Sequence, residues 1–268
     1  MFTYYQGIAG QARNDKSFSR NDKCFAFNDK QFNIMNANFI LQELLSIADP
    51  EKARFLQGFF KTGKGQYAEG DVLLGICVPH TRDIVKRSPP LPFPEIQILL
   101  DSEFHEARLA GLLFLVKQFK KAKKEEERKA IFDFYLQNAR KANNWDLVDV
   151  TCRDVVGAYL LDKVDREILY RLSESDNLWE QRISVVSTWT FIRHRQFDDT
   201  LALSEKLLTH THDLMHKAVG WMLREVGKKD RTTLVNFLEI HQTKMPRTAL
   251  RYAIEHFDPE ERIRFMKK

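Results

Sequence analysis

The sequence predicts an all-α fold, an α-α superhelix of stacked helix pairs in the manner of HEAT-like repeats. Three observations predict it. Apolar residues recur at helical spacing from residue 38 almost to the end, no stretch alternates as a run of strands would, and four eight-residue segments can be laid over one another. The segments are FHEARLAG (104–111), NWDLVDVT (144–151), LWEQRISV (178–185) and LMHKAVGW (214–221), with starts 40, 34 and 36 residues apart. That is the spacing of a paired-helix solenoid, slightly short for a regular HEAT unit. Such an array curves and presents a concave face.

The elements follow in order. FILQELLSIA (39–48) and EKARFLQGFF (51–60) open the array. EARLAGLLFLVKQF (106–119) and RKAIFDFYLQNA (128–139) are joined by KKAKKEEERK (120–129), which reads as a solvated junction. DVVGAYLL, ISVVSTWTFI, TLALSEKLL, AVGWMLREV, TLVNFLEI and ALRYAIEHF then carry the same spacing to residue 257. KTGKGQ (61–66) is a loop. It lacks both the order of a phosphate loop and a preceding strand.

Residues 13–33 read RNDKSFS, RNDKCFA, FNDKQFN, a seven-residue unit with one recurring apolar position. A supercoil needs two, so this is not a coiled-coil heptad. Polar low-complexity sequence cannot offset its own ordering entropy, and residues 1–34 are expected to be a disordered extension ahead of a domain spanning 35–268. Two readings of the tail stay open. One is translated repeat DNA upstream of a start at Met35; the other is a basic arm for nucleic acid, weakened by five basic against three acidic residues, a net +2.

Composition bounds the rest. At 268 residues and 43% hydrophobic, the chain can bury a sizeable core. No apolar run reaches the ~18 to 20 residues of a membrane helix, and the amino terminus lacks signal-peptide order. A cytoplasmic, monomeric protein without membrane contact is expected. Cys24, Cys77 and Cys152 are widely spaced and suggest reduced thiols. His210, His212 and His216 lack acidic or cysteine company and read as the opening of a helix, so no metal or other cofactor is expected. The formal charge of +5 permits a polyanionic partner without demanding one.

Position by position, the four copies separate architecture from chemistry. The third position holds Glu106, Asp146, Glu180 and His216, suited to the positive end of a helix dipole. The seventh is small or β-branched (Ala110, Val150, Ser184, Gly220), suited to close packing. The sixth is Leu109, Asp149, Ile183 and Val219, so Asp149 stands where sister repeats are aliphatic, and the eighth places Trp221 where they have Gly111, Thr151 and Val185. An unpaired buried carboxylate is costly, so a solvent-open groove is expected around Asp149. Trp145, four residues earlier, shares its helix face.

NNWDLVD, NLWEQRISVV and LMHKAVGWMLREVGK, with the earlier LLGICVPHTRDIVK, resemble the DNA alkylation repair glycosylases of the AlkD type over roughly residues 38–257. The WMLRE block is the most specific part. The resemblance implies a solenoid that cradles duplex DNA and hydrolyses the N-glycosidic bond of cationic purines, typically 7-methylguanine and 3-methyladenine. It places the catalytic carboxylate on Asp149, the groove tryptophans on Trp145 and Trp221, and backbone-contacting arginines on Arg182 and Arg224. It also implies that the base stays stacked, so that no deep base pocket is needed. Lys217 and Lys228, with Lys229, Arg231, Arg247 and Arg251, recur near helix ends where phosphates of a wrapped duplex could meet them.

Blander readings stand beside these. Asp149 can be a helix-surface acid with Arg182 as its salt-bridge partner, Trp179 and Trp189 read as core residues, and a non-enzymatic solenoid that binds DNA structures or a protein would use the same groove.

Overall fold

Helix starts are set by side chains that accept otherwise unpaired backbone N–H groups. In the computed structural model, which describes residues 36–267, Asn36 caps α1 (Ala37–Ser46) and Asp49 caps α2 (Pro50–Phe60), where Pro50 occupies the first turn. The polar extension expected over residues 1–34 lies outside the described residues. A loop leads to α3 (Val78–Arg87) and α4 (Phe93–Leu100), each opening at a proline. Next come α5 (His105–Lys121), buried continuously from His105 to Val116, and α6 (Glu125–Gln137), with three glutamates in its first turn.

A 3₁₀ turn, Ala139–Lys141, precedes α7 (Trp145–Asp149), capped by Asn144. A π-helical turn, Arg153–Gly157, runs into the short α8 (Ala158–Leu160). Then follow α9 (Glu167–Ser173), α10 (Leu178–Ser187, capped by Asn177), α11 (Trp189–Arg193) and α12 (Asp198–Lys206). The chain continues through α13 (Asp213–Lys229, capped by the His212 ring), α14 (Arg231–His241, capped by Asp230), α15 (Arg247–Ala253) and α16 (Pro259–Met266, capped by Asp258). The protein is all-α; among the described residues the β-type pairing is one isolated bridge, Val72 to Phe104.

The four superimposable segments begin within two residues of the N-caps of α5, α7, α10 and α13. These helices stack in chain order, α5 on α7, α7 on α10, α10 on α13, and α13 on α15. Their partners pack against them: α4 and α6 on α5, α9 on α10, α12 and α14 on α13. Close packing at the seventh position is literal at Gly220, where an added Cβ would meet the Ala249 carbonyl and lie 2.6 Å from Tyr252 Cβ. Gly75 serves a turn. Its φ is 82°, and a Cβ there would sit 2.8 Å from the Ala53 nitrogen.

The third-position residues do more than meet a helix dipole. Glu106, Asp146 and Glu180 reach back to an earlier layer, whereas His216 stays within the approach to its own helix. Glu106 accepts backbone N–H bonds from Leu74, Gly75 and Ile76 at 2.8–3.0 Å. Asp146 bonds His105 Nε2 at 2.9 Å, Glu180 binds Arg140 and Ser175, and His216 bonds the His210 carbonyl. The three carboxylates tie successive repeats to one another.

Candidate active site

The sixth repeat position faces inward in every copy: Leu109, Ile183 and Val219 are buried, and so is Asp149, at 5% exposure. The expected solvent-open groove around this acid is therefore corrected. Burial is tolerated because the carboxylate is not alone. Arg182, itself 2% exposed, donates to it from two nitrogens, Nε to Oδ1 and Nη2 to Oδ2, each at 2.8 Å. This fork-to-fork pair keeps charge next to charge where water is excluded.

The third Arg182 nitrogen, Nη1, donates to the Leu214 carbonyl at 2.5 Å, so the guanidinium links α7, α10 and the start of α13. Arg182 is the salt-bridge partner of Asp149 rather than a cation standing open to a phosphate. Burial pushes the Asp149 pKa up and Arg182 pulls it back, leaving it raised above the usual carboxylate value.

Arg108 stands at the same repeat position as Arg182 and is used in the same way. It pairs with the buried Asp71 and also donates to the carbonyls of Ser102 and Glu103. Asp71 in turn bonds His105 Nδ1 at 2.9 Å, while His105 Nε2 bonds Asp146, one residue from Trp145. Full burial alone would depress the His105 pKa, yet the Asp146 and Asp71 carboxylates raise it to about 10, so the ring is an imidazolium at neutral pH. Asp71 is held below its ordinary value: burial raises it, but His105 and Arg108 outweigh that.

Trp145 starts α7 and lies against the end of α2. Its ring stacks on Phe60 at 5.5 Å and meets Phe59 edge-on at 6.0 Å; Phe60 also packs on His105 at 5.1 Å. Trp221, on α13, donates Nε1–H to Glu225 at 3.2 Å. Both indoles are mostly covered, at 7% and 8% exposure.

Arg224, Lys217 and Lys228 each face an acid. Arg224 pairs with Glu255 and approaches Glu225 at 3.6 Å, Lys217 pairs with Asp213 at 2.7 Å, and Lys228 with Glu225 at 2.8 Å. His210, His212 and His216 spend ring atoms on Gln181, on the backbone of α13's first turn and on the His210 carbonyl. Among the described residues, no group of three His, Cys, Asp or Glu side chains is disposed to hold a metal ion.

The profile of a family described as DNA alkylation repair enzyme matches residues 40–257, a span containing all of these side chains. The chain belongs to the DNA alkylation repair enzyme family. A solved structure described as a predicted DNA alkylation repair enzyme from Enterococcus faecalis matches with a TM-score of 0.62 at 18% identity, covering 79% of this chain and 97% of that one. At that identity the likeness shows the shared fold. No curated protein matches the sequence. Among the described residues, no helix is long and apolar enough to cross a membrane.

Two features of this family member escaped the sequence pattern. Tyr67, from the loop after α2, meets Trp179 and His212 edge-on at 5.9 and 6.2 Å. The loop is anchored by Asp71 and by the Glu106 bonds, and Tyr67 is held against Trp179 of α10. Trp189, expected in the core, is half-buried between Arg153 and Arg193, whose guanidinium carbons lie 4.7 and 5.0 Å from its ring centre. Trp179 is buried as expected, with Tyr67 against it.

Proposed function

We propose that the protein is a monofunctional DNA glycosylase, active on duplex DNA in the concave face of a HEAT-like solenoid. It hydrolyses the N-glycosidic bond of cationic alkylated purines such as 7-methylguanine and 3-methyladenine. One observation carries the reading: a carboxylate, Asp149, occupies a buried position that its sister repeats fill with aliphatic side chains, and a bidentate arginine pairs with it and orients it.

The chemistry suits such a group. An alkylated purine is already cationic and leaves without prior protonation. Positive charge then moves to the deoxyribose, where a fixed carboxylate stabilises the oxocarbenium and orients the attacking water. Preorganised stabilisers of this kind contribute ~3 to 4 kcal/mol. Trp145 and Trp221 supply indole faces that favour cationic carbon and nitrogen. Arg182 holds Asp149 in place, and Arg224, Lys217 and Lys228 exchange their carboxylate partners for phosphates when DNA binds.

The direct test is release of free methylated base from alkylated duplex DNA in single-turnover reactions. Wild type should release 7-methylguanine, and Asp149→Asn should be slower by ~100- to 1,000-fold. Equal rates would remove Asp149 from the mechanism. The low exposure of the Asp149–Arg182 pair favours a second reading, a non-enzymatic solenoid in which the pair is purely structural. Absence of base release from every alkylated duplex, with binding retained, would select it.

A further inference from the structure

We propose that His105 is a positioning residue for base excision: held between Asp71 and Asp146, it fixes the first turn of α7 and with it the placement of Trp145 and Asp149. The consequence for catalysis rests on the glycosylase reading; the placement of Trp145 does not.

His105 departs from its sister repeats as Asp149 does. The second repeat position holds His105, Trp145, Trp179 and Met215, all buried, so an ionisable ring stands where the other copies place a large apolar side chain. Each ring nitrogen is spent on a carboxylate, Nδ1 on Asp71 and Nε2 on Asp146, both at 2.9 Å. Ionised carboxylates only accept, so both nitrogens donate and the ring is charged. Asp71 is engaged in turn by Arg108, which completes a buried row of alternating charge: Arg108, Asp71, His105, Asp146. Such a row adds little stability over apolar residues of equal volume. What it adds here is a single geometry.

That geometry fixes α7. The helix has five residues, Trp145–Asp149, too few for its own backbone bonds to hold it. Both ends are tied from neighbouring repeats: His105 on α5 binds Asp146 in the first turn, and Arg182 on α10 binds Asp149 at the last residue. The Trp145 ring has a second link to the same histidine through Phe60, which packs on His105 at 5.1 Å and stacks on Trp145 at 5.5 Å. Polar support at this end is otherwise thin. Asn144 accepts the Trp145 N–H, while Asn144 Nδ2 and Asp146 Oδ1 are buried without a hydrogen-bond partner among the described residues. Without His105 the Asp146 carboxylate is left buried and unpaired, and the first turn of α7 moves to relieve it.

The test uses the full chain labelled with 5-fluorotryptophan, whose four tryptophans include Trp145, its fluorine-19 resonance identified by its loss in Trp145→Phe. In His105→Gln the Trp145 resonance should move or broaden. Asp146→Ala cuts the same tie from the other side, leaves His105 its Asp71 partner, and should do the same. Single-turnover release of 7-methylguanine at saturating enzyme should slow ~10- to 100-fold in both, with affinity for the alkylated duplex within about twofold of wild type. Arg166→Ala, which breaks the pair with Asp199 on α12, should lower the melting temperature yet leave the Trp145 resonance and the rate unchanged. A Trp145 resonance at its wild-type position in either variant would overturn the proposal. So would wild-type rates beside a displaced resonance, or a rate loss that Arg166→Ala reproduces. A displaced resonance in a protein whose wild type releases no alkylated base would uphold the positioning of Trp145 while removing the glycosylase reading.

Discussion

Replacing the Asp149–Arg182 pair by apolar residues separates catalysis from structure. Asp149→Asn alone removes the charge opposite a guanidinium that is 2% exposed. Breaking a buried pair on one side costs ~3 to 5 kcal/mol. Asn keeps one acceptor for Arg182, so about 3 kcal/mol is a fair expectation. For a domain of this size each kcal/mol is worth about 2 to 4 °C, which puts the fall in melting temperature at about 6 to 12 °C. Folding stability of about 5 to 15 kcal/mol leaves the variant folded at 25 °C.

Asp149→Leu/Arg182→Met instead fills the site as Leu109 and Ile183 fill theirs. Such exchanges are often neutral or stabilising, so its melting temperature should return to within about 4 °C of wild type. Calorimetry gives the melting temperatures, and single-turnover release of 7-methylguanine at saturating enzyme gives the rates. If Asp149 acts on the sugar, both variants stay ~100- to 1,000-fold slow although only one is destabilised. Recovery of wild-type rate in the stable double variant would refute the argument, since excision would then follow stability and not the carboxylate.

Further expectations are as direct. Glu255→Gln frees Arg224 from its partner and should tighten binding to an unmodified duplex several-fold at low salt, measured by anisotropy; unchanged affinity would take Arg224 off the DNA path. The His105 pKa is raised from 6.5 to about 10 in the fold, so its contribution to stability is full below pH 6.5 and is lost as pH rises toward 10. Melting temperature should fall across that window in wild type, and the His105-dependent part of the fall should vanish in His105→Gln. A chain beginning at Met35 should match the full chain in melting temperature and DNA affinity, and a large loss in either would assign residues 1–34 a structural part.

The sequence made the inner helices visible because each repeat buries the same face: overlaying four segments located the starts of α5, α7, α10 and α13 to within two residues. It left α3, α4, α9 and α16 unmarked, since VPHTRDIVKR, FPEIQILL, EILYRLS and PEERIRFM are short and their apolar residues follow no repeat register. Asp149 stood out by its difference from Leu109, Ile183 and Val219. Its surroundings did not, because they depend on Arg182 folding back across a layer boundary. Tyr67 was invisible for the same reason. Its partners Trp179 and His212 lie far along the chain, and no period in a loop announces them. Trp189 shows the opposite failure: its apolar register was read correctly as helical, but the arginines that flank it arrive from another element and from the end of its own.

The ties at the third repeat position bear on how the molecule comes apart. Stacked repeats tend to melt piecewise, because each contacts only its neighbours. Glu106, Asp146 and Glu180 bind each layer to an earlier one through carboxylate hydrogen bonds, two of these residues being fully sequestered. Residues from the loop before α3 through α10 should therefore open as one cooperative unit, with slow amide exchange throughout. Beyond it, His216 supplies only a bond to the His210 carbonyl, and α14 to α16 can fray without disturbing Asp149. Amide exchange over α14 to α16 should accordingly be faster than around Asp149.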